Sequence, residues 1–182
     1  MTKVVFFTAL AVIGWVYFGY PIVLCVVARL RRKPVHRAPV EPTVSMIISA
    51  YNEDANIRGK LRDALATDYP ADRLEIIVAS DGSTDRTDDI VREFAPRVRL
   101  LRVEGRRGKT CAQNAAVEIA TGEILVFSDV STVYEPTTIR TMIENFADPA
   151  VGCVSVNVTY EKDPRNPSAL GRALFWNHER LL

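Results

Sequence analysis

The 182-residue sequence predicts an α/β fold, a Rossmann-like and mostly parallel sheet with flanking helices, preceded by one N-terminal transmembrane helix. Three observations predict it. The first is an uncharged stretch of 25 residues, Val4–Ala28. The second is that β-branched apolar runs alternate with helical patterns from residue 43 onward, which is typical of βαβ units. The third is that several of these runs are continuously apolar, as strands buried on both faces of a parallel sheet require.

The uncharged stretch is long enough to cross a bilayer as a helix. It would measure roughly 37 Å, against a hydrocarbon core of about 30 Å. Pro21 lies inside it and is a candidate for a kink. A secretory signal peptide is the alternative, but its apolar core spans only about 7–15 residues before a small-residue cleavage site, which is not evident here.

Basic residues are distributed unequally around this stretch. Five follow it, Arg29, Arg31, Arg32, Lys33 and Arg37, and only Lys3 precedes it. The positive-inside rule therefore predicts that the remaining chain lies in the cytoplasm, beneath the inner membrane in a bacterial cell. We expect residues 1–33 to be the transmembrane anchor and basic collar, 34–42 a proline-containing linker, and 43–182 one domain.

Strands and helices alternate through the predicted domain. The strands are predicted at Thr43–Ser49, Leu74–Ser80, Val98–Val103, Ile124–Ser128 and Val151–Val158. The helices between them are predicted at Ala55–Ala66, Asp85–Phe94, Thr110–Ala120 and Pro136–Phe146. Asp85 can accept hydrogen bonds from free amides at a helix start, and Pro136 suits a first helical position where no N–H is needed.

Composition argues against several functional classes. The net charge of +1 conceals six basic and no acidic residues in 1–37, and 17 basic against 22 acidic residues in 38–182, a formal charge of −5. A nucleic-acid partner would need a basic stripe on the folded domain, whereas this one adjoins the membrane, where anionic lipid headgroups explain it. Three scattered cysteines without a CxxC pair indicate neither a disulfide framework nor a zinc site.

The first two predicted strands end in loops that carry polar side chains, and open parallel sheets bind ligands at this edge. Tyr51, Asn52 and Glu53 follow the first strand, although by themselves they are better explained as an ordinary turn. Asp81 follows the second strand. A fixed carboxylate there can accept the N3–H of uracil, whereas cytosine offers an acceptor at that position. The alternative for this loop is a turn that leads to Asp85 as a helix cap.

The third and fourth strands are followed by a basic and an acidic loop. Glu104–Thr110 contains Lys109 at a predicted helix start, where amides and cations can bind a diphosphate; a solvated run of charges is the alternative. It is not a P-loop, because Val103 stands where the first glycine belongs. Asp129 follows the fourth strand and is either a natural ligand of Mg²⁺ or Mn²⁺ bridging a diphosphate, or a cap or turn residue.

In order and spacing, these segments resemble the inverting family 2 glycosyltransferases of GT-A fold, especially membrane-anchored members related to polysaccharide synthases. The matching segments are Ser49–Glu53, Asp81–Asp85, Arg107–Lys109, Gly122–Glu123, Asp129–Ser131 and Pro136. The resemblance implies a nucleotide-sugar donor site formed by Ala50, Tyr51, Asn52, Glu53, Asp81, Lys109 and Asp129. It also implies that Asp129 binds Mg²⁺ or Mn²⁺.

One departure from the family pattern concerns the metal. The Asp-x-Asp motif of the family reads Asp129-Val130-Ser131 here, so a neutral hydroxyl replaces the second carboxylate. We therefore expect either a lower affinity for the cation or a greater dependence on phosphate oxygens and Asp129 alone.

A second departure is that the acceptor half of the family is not found within these 182 residues. Neither its acidic general base nor its Gln-x-x-Arg-Trp motif is found, and we do not assign Glu179, the last carboxylate, as the base. We expect the N-terminal part of a membrane-bound enzyme that transfers a sugar from a nucleotide-sugar, a UDP-sugar by preference, to a glycan or lipid acceptor with inversion.

Two other functions stay open at this point. One is a catalytically inactive, membrane-tethered nucleotide-sugar-binding module. The other, more distant, is a nucleotidyltransferase of related topology, which usually has a glycine-rich loop where this chain has Ala50–Asp54.

Overall fold

The structure, a computed structural model, describes residues 1–31 and 33–156. It contains two compact units, one that includes Met1–Pro34 and one of residues Val35–Ser155. In the first unit, α1 (Thr2–Gly14) and α2 (Tyr20–Leu30) are joined by a π-helical turn, Trp15–Gly19. Pro21 has no N–H to donate to the preceding helical turn. The kink that the sequence predicts at Pro21 corresponds to this π-helical turn just before it.

The helical stretch Thr2–Leu30 contains 29 residues, none of them buried, and its most apolar 18-residue window has a mean hydropathy of 2.2. A helix that is apolar on all sides without protein around it is typical of a membrane span. Its length and composition would allow it to cross a membrane, although a signal sequence meets the same two criteria.

The second unit is an α/β fold, as predicted. Its described strands are β1 (Val44–Ala50), β2 (Leu74–Ser80), β3 (Arg99–Arg102) and β4 (Ile124–Asp129), in the order β3-β2-β1-β4 and all parallel. The helices are α3 (Ile57–Leu65), α4 (Thr87–Arg92), α5 (Lys109–Ile119) and α6 (Thr138–Ile143), and a 3₁₀ turn, Glu144–Ala147, follows α6.

Two apolar layers cover the sheet. On one face, alternate residues of β1 and β2 such as Met46 and Ile76 pack with α3, α4 and α6. On the other face, Ile47 and Ile77 pack beneath Ala112 of α5. β1 is thus buried from both sides, which explains its continuous apolar sequence.

One predicted strand is wrong over the residues that the structure describes. Residues 151–156 of the predicted strand Val151–Val158 are not paired with any described strand, and residues 157 and 158 lie outside the described part. Val151 instead donates to the carbonyl of Asp148 at 2.9 Å, in a turn. An apolar β-branched run favours a strand only where a partner strand completes the ladder.

Three helices are shorter than predicted, and the first of them, expected at Ala55–Ala66, spans Ile57–Leu65. The helix expected from Asp85 begins at Thr87, because the Asp85 carboxylate lies before the helix and accepts the Thr87 amide at 2.9 Å. The helix expected from Pro136 begins at Thr138 and passes into the 3₁₀ turn. Glu179 lies outside the described residues.

Candidate functional site

A cleft of about 330 Å³ lies at the carboxyl edge of the sheet. Its floor follows from strand register, since Ser49 of β1 is the direct neighbour of Ala79 in β2 and of Asp129 in β4. Six of the seven predicted donor-site residues line it, namely Ala50, Tyr51, Glu53, Asp81, Lys109 and Asp129. The sheet therefore brings together loops that are up to 80 residues apart in the chain.

Asn52, the seventh predicted residue, is not among the residues that line the cleft. It has a positive φ of 52°, which asparagine tolerates better than most residues. Its Oδ1 accepts the amide of Thr84 at 2.8 Å, and its own amide donates to the Ser83 hydroxyl at 3.2 Å. Asn52 thus ties the loop after β1 to the loop after β2.

Two further bonds join the same loops. The Glu53 amide donates to the Thr87 hydroxyl at 2.8 Å, and the Asp54 amide donates to the Asp85 carboxylate at 3.1 Å. Partial burial opposes ionisation of Asp85, but the hydrogen bonds it accepts from Thr87 and Asp54 outweigh this and hold its pKa below the ordinary value. Hydrogen bonds between backbone amides and side chains therefore join the segment after β1 to the segment after β2.

Asp81 is buried and holds a third loop in place. Its two carboxylate oxygens accept the amides of Arg107 and Gly108, each at 2.8 Å. Gly108 has φ of 94°, a conformation that favours glycine. Because each carboxylate oxygen has two lone pairs, Asp81 retains the capacity to accept a further hydrogen bond from a ligand.

A buried polar network supports the Asp81 turn from below. The Ser80 hydroxyl donates to Asp88 at 2.5 Å, and the Arg102 guanidinium donates to the same carboxylate. Arg102 also donates to the Ser83 carbonyl at 3.0 Å. Sequence patterns gave no signal for this network, because Arg102 lies inside a predicted strand.

Basic groups gather on one side of the cleft. Lys109, the first residue of α5, donates from its ammonium to the Asp129 carboxylate, and both side chains are more than half exposed. The Arg106 guanidinium lies 4.4 Å from the centroid of the Tyr51 ring, a cation–π contact. Together with the α5 N-terminus, these groups form an environment suited to a bound diphosphate.

Asp129 is suited to bind a divalent cation that is also bound by a phosphate. Asp129 and Ser131 line the cleft, and no group of three or more His, Cys, Asp or Glu side chains suited to a metal occurs among residues 1–31 and 33–156. Mg²⁺ is commonly bound by one or two carboxylates together with substrate phosphates. Asp129 therefore fits a nucleotide-dependent metal site better than an independent one.

Comparison with known proteins gives a consistent result. The model of the family described as "Glycosyl transferase family 2" matches residues 45–181. A poly-beta-1,6-N-acetyl-D-glucosamine synthase of Staphylococcus epidermidis is 32% identical over 117 residues, covering 63% of this chain and 28% of that protein. The chain spans only 24–37% of the length of the curated relatives compared.

Two solved structures are similar as well. The mannosyltransferase PcManGT of Pyrobaculum calidifontis, in complex with GDP-Man and Mn²⁺, matches with a TM-score of 0.67 and 36% identity over 80% of this chain and 46% of that chain. S. aureus TarS 1-349 in complex with UDP-GlcNAc matches with a TM-score of 0.50 and 27% identity, covering 54% and 29%.

Proposed function

The chain belongs to glycosyl transferase family 2, and on that basis we propose that it forms the donor-binding part of a membrane-bound, inverting enzyme that uses a UDP-sugar. The observation that carries the proposal is the cleft itself. One acidic and buried side chain, Asp81, and a basic group, Lys109, line the same cavity as Asp129. These are the three kinds of group that a nucleoside diphosphate requires: one for its base, one for its phosphates and one for the cation bound to the phosphates.

Asp81 would recognise the base. Its carboxylate is fixed by two backbone amides and can accept a further bond, which suits the N3–H of uracil. Guanine also offers an N–H to a carboxylate, and the two similar structures contain GDP-Man and UDP-GlcNAc respectively. Cytosine would leave Asp81 facing another acceptor, so it should be rejected most strongly. The Tyr51 ring and Arg106 would lie beside the nucleoside.

Lys109 and Asp129 would exchange partners when the donor binds. Without ligand they pair with each other. A diphosphate carries more negative charge than one carboxylate, so the Lys109 ammonium would turn to it, and the released Asp129 carboxylate would face the cation. Mg²⁺ or Mn²⁺ bound there would neutralise charge on the departing diphosphate. Ser131, which lines the same cleft, would contribute a neutral oxygen.

The N-terminal helix would anchor this site at a membrane. Arg29, Arg31 and Lys33 follow the apolar stretch and would face anionic headgroups on the cytoplasmic side. We therefore propose a membrane-associated acceptor, a growing glycan or a lipid, in keeping with the similarity to a polysaccharide synthase. We assign no catalytic base among the described residues, so transfer itself would depend on parts of the enzyme outside them.

The alternative is a tethered module that binds a nucleotide-sugar without transferring it. It is favoured by the neutral Ser131 at the position of a second carboxylate. Transfer or hydrolysis of a UDP-sugar by the purified chain, lost in Asp129→Ala, would exclude it.

Nucleotide selectivity tests the proposal directly. UDP, GDP and CDP are titrated separately into the purified protein in detergent with Mn²⁺, by calorimetry. We expect UDP to bind most tightly and CDP to bind at least tenfold more weakly. Cytosine would leave the buried Asp81 carboxylate without a donor, and an unpaired buried polar group lowers binding by about 1–3 kcal/mol. Equal affinities would overturn the role of Asp81, and binding of none of the three would overturn the donor site.

A further inference from the structure

Lys60 is the one basic side chain among the described residues that is buried, with 3% of its surface exposed. It lies on α3, and none of the contacts assigned above to the donor involves it. Burying an ammonium is unfavourable unless the protein supplies partners for it. Its surroundings therefore indicate what it stabilises.

The partners of Lys60 lie in the segment that follows Asp129. Its Nζ donates to the carbonyl of Thr132 at 2.5 Å and lies 4.2 Å from the centroid of the Tyr134 ring. Burial lowers the pKa of Lys60 to about 8, against opposing attraction from Asp63 and Asp129. The group therefore still carries its proton at neutral pH and acts as a charged donor.

The segment from Asp129 to Pro136 is held at three points, of which Lys60 is the central one. At its start, Asp129 is paired within the sheet, and the Thr132 amide donates back to the Asp129 carbonyl at 3.2 Å. At its end, the Pro136 carbonyl accepts the Asp68 amide at 2.8 Å. Between these points Lys60 fixes the Thr132 carbonyl, one residue beyond Ser131.

We propose that Lys60 is a positioning residue of the donor site, which holds the Asp129–Tyr134 segment so that Asp129 and Ser131 face the diphosphate and its cation. This proposal rests on the proposed function. Lys60 acts through the Thr132 carbonyl and does not touch the donor. Without the ammonium, that carbonyl loses its partner and the turn that carries Ser131 is free to shift.

The experiment compares the affinity for UDP in Mn²⁺ with that in EDTA, using the full chain in detergent. Lys60→Met keeps the length and apolar stem of the side chain but removes the donor. We expect its UDP affinity in EDTA to stay within about twofold of wild type, while the gain from Mn²⁺ falls by about tenfold, the scale of one lost buried partner. Arg62→Met, on the exposed side of the same helix, is the matched control and should retain the full gain.

The outcomes separate this proposal from the one it rests on. A folded Lys60→Met protein with the wild-type gain from Mn²⁺ would show that Lys60 only supports the fold. If Lys60→Met does not fold, Lys60→Gln is measured instead, because it replaces the charged donor to the Thr132 carbonyl with a shorter, neutral amide. A selective loss of the gain supports the proposal, and a wild-type gain overturns it. A wild-type chain that binds neither UDP nor GDP overturns both proposals together.

Discussion

The Lys109 ammonium donates a hydrogen bond to the Asp129 carboxylate across the mouth of the cleft. Lys109 is the first residue of α5 and Asp129 is the last residue of β4, so the two are distant in the sequence and the fold brings them together. Each would have a different partner once a nucleoside diphosphate is bound. In the free protein the two charges neutralise each other. Under the proposed function, the ammonium would bind the diphosphate and the carboxylate would bind the cation.

Lys109→Met should lower the affinity for UDP without changing the affinity for uridine. The variant removes the cation beside the diphosphate, and a hydrogen bond to a charged group contributes about 1.5–3 kcal/mol. We expect at least a tenfold loss of UDP affinity by calorimetry. Lys109→Arg, which keeps the charge, is the control and should lose less. Equal losses for uridine and UDP would show that Lys109 acts on the fold of the site and not on the phosphates.

Asp81→Asn should lower both stability and nucleotide affinity. An amide can accept only one of the two backbone N–H groups of Arg107 and Gly108 and places an NH₂ against the other. We expect the free energy of unfolding to fall by about 1–3 kcal/mol in denaturant titrations, with UDP binding at least tenfold weaker. Asp72→Asn, at an exposed position, is the control. Wild-type values for both quantities would contradict the loop-holding role of Asp81.

Glu75 should make stability depend on acid pH. Partial burial opposes its ionisation, but hydrogen bonds from Ser45 and Thr121 outweigh this and lower its pKa below the ordinary value of a glutamate. A carboxyl with a depressed pKa in the folded state stabilises the protein above its unfolded pKa, and this contribution is lost as pH falls through the folded pKa. In denaturant titrations, Glu75→Gln should be less stable than wild type at pH 7, and the difference should shrink below about pH 4.5. A difference that is constant from pH 7 to pH 3 would contradict this.

Replacement by alanine should lower the stability of the protein at Gly122 and raise it at Gly59. A Cβ at Gly122 would lie 2.6 Å from the Val44 carbonyl carbon and 2.8 Å from the Ser45 hydroxyl, whereas nothing lies within 4 Å of one at Gly59. We expect Gly122→Ala to lose about 1–3 kcal/mol of stability through overpacking. Gly59→Ala, inside α3, should gain up to about 1 kcal/mol. Melting temperatures that shift in the same direction for both variants would be inconsistent with this packing.

The sequence was sufficient for the sheet and for most of the cleft. Continuous apolar runs located β1 and β2, which are buried on both faces, and a similar run located β4, whose Phe127 is half exposed. The loops that follow β1 and β2 carried their polar residues at the expected edge. The run from Val151 misled the prediction, because pairing depends on a partner strand that composition does not reveal.

Other contacts could not be predicted from local patterns. The hydrogen bonds of Asp81 to the amides of Arg107 and Gly108 join residues from different loops. Lys60 looks in the sequence like any solvent-facing helical lysine, and only the packing of the Asp129–Tyr134 segment against α3 buries it. Both cases depend on tertiary geometry, which side-chain spacing along one element does not encode.

The most direct test of the account is electron paramagnetic resonance of Mn²⁺ with the purified chain, with and without UDP. A Mn²⁺–UDP mixture without protein serves as the reference, and Asp129→Asn as the variant. The account predicts little bound Mn²⁺ without UDP, because Lys109 occupies the Asp129 carboxylate, and UDP-dependent protein-bound Mn²⁺ that is lost in Asp129→Asn. Tight Mn²⁺ binding without nucleotide, or undiminished binding by the variant, would contradict it.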